Sequence, residues 1–322
     1  MTKNGPVPLP PFAIDMIANT CGISPEEATN PENIQRFRER LESMKEPGNV
    51  ETEDRTIEFD HVKVDLTIIK PLGHENKILP VILYLHGGGW VFGDYALFSV
   101  FVNKLANHIP CCIVFVNYSL SPKVKHPVAL EECYASLCWV QQNAQALNVD
   151  LNRLTVSGDS AGGNLTAALT ILAKQRGNTG ITSQVLFYPV VDNDFETESY
   201  ILYKDDAFLR RENMQQVWQL YTAKEEDWSS PLMAPLKATT EELSGLPPAL
   251  VITAERDVLR SEGVAYAKKL AKAGVSTLST TYHNVTHGFV TIAMPHLLPE
   301  AYSVIDQMTD WLNKGWKSTS KV

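Results

Sequence analysis

The sequence predicts an α/β protein: a mostly parallel central sheet flanked by helices. Two observations carry this. From residue 79 onward, short, mostly apolar runs alternate with longer helical stretches. Strands that are apolar throughout are buried on both faces, as in parallel sheets covered by helices. Ahead of that region the hydrophobic period falls to two, over residues 56–59 and again at Val62, Val64, Leu66 and Ile68. That alternation reads as two antiparallel strands with one solvated face.

In chain order, residues 1–48 are polar and read as helical. A short helix is expected over 12–19, Ser24-Pro25-Glu26-Glu27 has capping-box spacing, and Asn30-Pro31-Glu32 can start a longer helix. This segment is read as a helical cap, and residues 49–322 as the main domain. The expected buried strands are 81–85, 112–116, 154–156, 185–188 and 249–253, and the expected helices 95–106, 128–146, 161–175 and 261–273. Residues 192–239 interrupt the alternation. They are rich in Asp, Glu and Tyr, carry a helix near 211–221, and read as a second cap element above the sheet.

Composition excludes several classes. With 44% apolar and 20% charged residues among 322, and 18 Gly and 19 Pro dispersed, neither disorder, collagen nor coiled coil fits. The formal charge of −9, without basic runs, repels phosphate backbones, so no nucleic-acid partner is expected. Five cysteines (21, 111, 112, 133 and 138) contain no C-x-x-C pair. They read as small buried hydrophobes in a reducing compartment. There is no signal-type apolar stretch and no apolar run of about 18 residues, so no membrane span and a cytoplasmic location are expected.

The chemistry-bearing signal is Gly158-Asp159-Ser160-Ala161-Gly162, a G-x-S-x-G directly after an apolar strand and before a helix. A serine on such a strained turn projects its hydroxyl above the sheet, beside the N–H groups of the helix start. A second signal, His86-Gly87-Gly88-Gly89-Trp90, also ends a strand, and its unshielded amides suit an oxyanion. No P-loop or G-x-G-x-x-G spacing supports phosphate binding instead. A serine nucleophile needs a base and an acid to orient it. Asp257 stands just past the 249–253 strand and His287 in a loop after a later one. The order Ser160, Asp257, His287 is that of an α/β-hydrolase. His283 and His287 are four apart, but without H-E-x-x-H a zinc site is not expected. Glu255, His86 and Asp159 read as loop-fixing groups.

With HGGGW at 86–90, GDSAGG at 158–163, D-x-L-x-x-E-G from Asp257 to Gly263 and HGF at 287–289, the chain resembles the hormone-sensitive-lipase-like carboxylesterases of the α/β-hydrolase superfamily. The resemblance implies Ser160 as nucleophile, His287 as base, Asp257 as acid, and the amides of Gly88, Gly89 and Ala161 as oxyanion hole. It implies a small-molecule ester of short to medium acyl chain as substrate, no cofactor or metal, and permits a homodimer through the last strand and helix; the acidic net charge fits an uncharged ester. Trp90, Phe92, Tyr203 and Phe208 are the aromatic candidates for the substrate pocket. The chain departs from the family pattern at Ser119 and Ser121, where Arg and Ala are usual, and at Val258 and Ser261, where Pro and Asp are common. Two alternatives stay open. One is an amidase or arylacetamide-deacetylase-like hydrolase. The other is a non-catalytic small-ligand receptor of the same fold, against which the presence of His287 argues.

Overall fold

The computed structural model describes residues 49–205, 208–291 and 298–319. Of the first 48 residues it describes Ile14, Ser24, the short helix Pro25–Ala28, Asn30, Glu32, Asn33, Gln35, Arg36 and Glu39. The Ser24 box is present: Glu27 N donates to Ser24 Oγ (3.2 Å) and Ser24 N to Glu27 Oε2 (2.8 Å). The rest of the expected N-terminal cap lies outside the described residues.

Eight strands form one sheet: β1 (Val50–Phe59), β2 (Val62–Pro71), β3 (Leu79–Leu85), β4 (Cys112–Asn117), β5 (Val149–Asp159), β6 (Ser183–Phe187), β7 (Ala249–Arg256) and β8 (Thr277–Thr286). Their order is β1-β2-β4-β3-β5-β6-β7-β8. β1 pairs antiparallel with β2 and β2 antiparallel with β4, and the remaining pairs are parallel. Parallel strands end on one side, so the loops that follow β3, β5, β7 and β8 meet at a single edge of the sheet. That edge is where open α/β sheets bind ligands.

The principal helices are α1 (Tyr95–His108), α2 (Val128–Gln142), α3 (Ala161–Gln175), α4 (Arg211–Tyr221), α5 (Arg260–Lys272) and α6 (Pro299–Thr319). The two-residue period of β3 divides its side chains between two cores. Val81, Leu83 and Leu85 pack with Leu130, Cys133 and Leu137 of α2 and Leu165 and Leu169 of α3. Ile82 and Tyr84 pack on the other face with Phe98, Phe101 and Leu105 of α1 and Ile305 and Met308 of α6. Tyr266 and Leu270 of α5 meet Val251 of β7 and Ile171 of α3, extending the first face.

Three elements differ from expectation. The helix expected over 128–146 stops at Gln142, where Asn143 turns its N–H and its side-chain amide onto Trp139 O (2.9 and 2.8 Å). A short helix, Ala144–Leu147, then ends at Asn148 in the left-handed conformation (φ 56°). β5 is longer than its apolar run, because Val149 and Asp150 pair with Leu79 and Pro80 before the register shifts. Its polar stretch, in which Arg153 Nε donates to Asp150 Oδ2 (2.7 Å), hides the strand from hydrophobicity patterns. β1 lies at the sheet edge, with Ile57 its single buried side chain. Cys111, Cys112, Cys133 and Cys138 are free and buried, and burial pushes the Cys112 thiol up to about 12, so it stays a neutral hydrophobe. Among the described residues no helix is long and apolar enough to cross a membrane.

Candidate active site

Ser160 occupies the turn between β5 and α3 with φ 54° and ψ −117°, a conformation that costs an L-residue energy and persists only when its surroundings enforce it. They do: Ser160 N donates to Phe187 O (2.9 Å), and Ser160 O accepts from Asn164 N (3.0 Å) and Val190 N (3.1 Å). The turn closes only because its flanking residues lack side chains. A Cβ on Gly158 would stand 2.4 Å from Gly162 O, and one on Gly162 would stand 1.9 Å from Leu85 O.

The glycine loop after β3 is held from below by Asp159. Its Oδ1 accepts from Gly87 N (2.9 Å) and Tyr84 Oη (2.8 Å), and its Oδ2 from Thr291 Oγ1 (3.1 Å). One buried carboxylate therefore ties the glycine loop, the serine turn and the segment after His287 together. Gly88 takes φ 102°, and its carbonyl accepts from Phe92 N (3.0 Å). The N–H groups of Gly88, Gly89 and Ala161 have no hydrogen-bond partner among the described residues. His86 lies buried, its ring stacked on Phe115 and Tyr118. Its Nδ1 is 2.7 Å from Gly87 O and, a carbonyl being acceptor only, carries the proton.

Burial acts oppositely on these two groups. It raises the Asp159 carboxyl from 3.8 to about 6, against the lowering effect of its hydrogen bonds, and pulls His86 from 6.5 down to about 4. As pH falls from 6.5 to 4, the unfolded chain protonates its histidine before the folded one does, and His86 costs stability. Over nearly the same range the folded chain protonates Asp159 before the unfolded one, and Asp159 adds stability. Asp159→Asn abolishes only the second effect. Its amide can still accept from Gly87 and Tyr84 and donate to Thr291. The stability of Asp159→Asn relative to the parent is therefore expected to drop by about 2 kcal/mol between pH 7 and pH 4. Urea denaturation at both values checks this, and an unchanged difference would refute the carboxyl's elevated pKa.

At the carboxyl ends of β7 and β8, Asp257 and His287 come within hydrogen-bond reach of each other and of Ser160. His287 Nδ1 is 2.7 Å from Asp257 Oδ2, and His287 Nε2 is 2.9 Å from Ser160 Oγ. Asp257 Oδ1 also accepts from Leu259 N (2.9 Å). A carboxylate acceptor at Nδ1 holds that nitrogen protonated, leaving Nε2 free to accept the serine proton. The Tyr188 ring meets the imidazole edge-on at 4.8 Å. All three side chains are buried. His283 takes no part: it is exposed, with Nδ1 3.3 Å from Glu255 Oε1. Glu255 Oε2 in turn accepts from Asn284 N (2.9 Å), a loop-fixing contact. Among the described residues no cluster of metal-ligating side chains is found.

The cavity above Ser160 is mostly apolar, and Phe92 and Phe208 stand in its wall with Leu97, Met214 and Val217. The chain between β6 and β7 thus supplies part of the wall, through Phe208 and α4. Trp90 and Tyr203 are not among the lining residues. Trp90 is buried, stacked on Tyr221 at 4.2 Å and edge-on to Trp218, because φ 61° at this position turns its side chain into the α4 contact. Tyr203 is half-buried beneath the Arg260 guanidinium. The departures from the family pattern are satisfied locally. Ser119 donates through N and Oγ to Glu132 (2.6 and 2.7 Å), and Ser199 Oγ accepts from Ser261 N (3.1 Å). Sequence reasoning assigned no role to Glu262. Buried, it accepts from Val191 N (2.7 Å) and Asp192 N (3.2 Å), anchoring the strand exit behind the serine turn. A carboxylate within the acid motif on an otherwise inward face of α5 was the available signal.

A serine turn after the third parallel strand, with an acid and a histidine after two later ones, defines an α/β-hydrolase. The family model described by the α/β-hydrolase fold matches residues 82–291. The chain belongs to this family, in its hormone-sensitive-lipase-like carboxylesterase branch, and is an ester hydrolase. Carboxylesterase NlhH of Mycobacterium tuberculosis is 33% identical over 279 residues, covering 84% of this chain and 86% of its own. An arylesterase of Saccharolobus solfataricus is 35% identical over 242 residues, 74% of this chain and 77% of its own. A solved fungal esterase structure from Rhizomucor miehei is 40% identical, with a TM-score of 0.85 over 98% of this chain and 99% of its own.

Proposed function

We propose that the protein hydrolyses uncharged esters of short to medium acyl chain by a serine acyl-enzyme mechanism. The observation that carries the reading is the continuous hydrogen-bonded line Ser160–His287–Asp257, 2.9 and 2.7 Å long. Ser160 Oγ attacks the ester carbonyl carbon as its proton passes to His287 Nε2. The carbonyl π bond opens to an oxyanion, which the N–H groups of Gly88, Gly89 and Ala161 receive. These donors are preorganised in a dry site, where they stabilise developing charge more than solvent would. The oxyanion collapses, the bond to the leaving oxygen breaks, and His287 returns its proton to the departing alcohol. A water molecule, deprotonated by His287, then attacks the acyl-serine. The carboxylic acid leaves and Ser160 regains its proton. Asp257 holds the imidazole tautomer throughout.

Residues of 192–239 serve as a cap, and their contribution to the cavity wall supports an enclosed pocket over an open lipid-binding face. Labelling with a fluorophosphonate followed by peptide mass spectrometry is expected to modify Ser160. Rates on p-nitrophenyl esters are expected to decline from medium to long acyl chains. Labelling elsewhere would overturn the nucleophile assignment, and rates rising steadily to long chains would overturn the substrate class.

A further inference from the structure

The cavity above Ser160 contains one polar side chain for which this mechanism has no use. Asn213, in the first turn of α4, lines the cavity and is 6% exposed. Its Oδ1 accepts from Arg210 N at 3.0 Å. This contact determines the orientation of the amide, because a backbone N–H can only donate and must therefore face the oxygen. Nδ2 is left on the other side, and it has no hydrogen-bond partner among the described residues. The side chains of Phe208, Leu209, Met214 and Val217, which line the same cavity, are hydrocarbon or thioether and carry no oxygen acceptor. Nδ2 is not enclosed by protein but open to water-sized space, and an occupant of the cavity that displaces water without offering an acceptor leaves this donor unpaired, which is costly. An occupant that carries an oxygen acceptor at this point avoids that cost.

We propose that Asn213 Nδ2 is a specificity-determining donor that recognises an oxygen acceptor on the non-reacting, otherwise apolar part of the ester. The preferred substrates then carry an ether, carbonyl or hydroxyl oxygen in the acyl or alkoxy chain, and are not plain hydrocarbon esters. This inference rests on the ester-hydrolase reading above.

The test uses two series of esters. One is p-nitrophenyl esters of straight acyl chains, and the other acetates of straight-chain alcohols. In each, one methylene at successive positions is replaced by an ether oxygen, and each member is compared with its hydrocarbon parent. In the parent enzyme, at least one position is expected to give kcat/KM about tenfold above the hydrocarbon, the size of one buried neutral hydrogen bond. Asn213→Asp keeps the acceptor for Arg210 N but turns an oxygen toward the cavity. The preference is expected to fall to one or below. Asn213→Ala removes donor and cap together, is expected to abolish the same ratio, and serves where Asn213→Asp does not accumulate. Because each result is a ratio within one variant, a uniform loss of activity does not mimic it. Ratios within about twofold at every position, or a preference that survives in the variants, would overturn the proposal while leaving ester hydrolysis standing. Absence of turnover on every ester, with Ser160 unlabelled, would overturn both.

Discussion

Ser160→Ala is expected to lower kcat on any activated ester by on the order of a million-fold, about 8 kcal/mol of transition-state stabilisation. The change removes only Oγ, the atom 2.9 Å from His287 Nε2. It leaves the backbone bonds of the turn to Phe187, Asn164 and Val190 in place. Stability is therefore expected to be preserved, or slightly raised as the buried hydroxyl is lost. His287→Ala should cost a similar factor, and the double variant little more than either single one, because a nucleophile and its base act as a unit. Stopped assays on p-nitrophenyl acetate, with thermal denaturation of each variant, measure both quantities. A variant retaining more than about a thousandth of the parent rate would show that the line from Ser160 to Asp257 is not the reacting system.

Gly162→Ala is expected to be severely destabilising. The new Cβ would stand 1.9 Å from Leu85 O and 2.5 Å from His86 O. Both are backbone atoms at the end of β3, and neither can rotate away. Relieving the clash means separating α3 from β3, which displaces Ser160 from the Gly88 and Gly89 amides. A loss above about 4 kcal/mol is expected, a large share of the stability of a typical domain. Misplacing reacting atoms by about 1 Å adds a further loss of about a hundredfold in rate. Gly315 is the control. It lies in α6, where an added Cβ meets nothing within 4 Å. Gly315→Ala is expected to stabilise by about 0.5–1 kcal/mol by restricting the unfolded chain. Urea denaturation of the pair decides the matter: equal midpoints would mean that the close approach at Gly162 is not enforced.

The elements that sequence alone identified are those whose signals are local. β3 and β4 are uninterrupted apolar runs, and α3 follows a G-x-S-x-G that can only be a sharp turn. Ser160, Asp257 and His287 each stand just past a strand, which is where chemistry accumulates on a parallel sheet. β5 reads short from sequence because its first half is polar, and it begins at Val149 only through the pairing of Val149 and Asp150 with Leu79 and Pro80. Trp90 reads from sequence as an aromatic candidate for the pocket, but its side chain packs on Tyr221, 131 residues away in sequence and 4.2 Å away in space. Asn213 carried no signal, since an asparagine in a first helical turn reads as a cap and nothing more.

By itself, the sequence determined the alternation of strand and helix, the sharp turns that only glycine permits, and the residue types available for acyl transfer. These follow from period, sterics and side-chain chemistry within a few residues of each site. Tertiary structure alone decided the hydrogen-bonded line through His287, the buried carboxylate of Asp159 joining three loops, and the amide hydrogens of Asn213 left facing a cavity. Each of these depends on groups distant in sequence being desolvated together. Whether a buried polar atom is satisfied is a property of everything packed around it, and no local pattern records that.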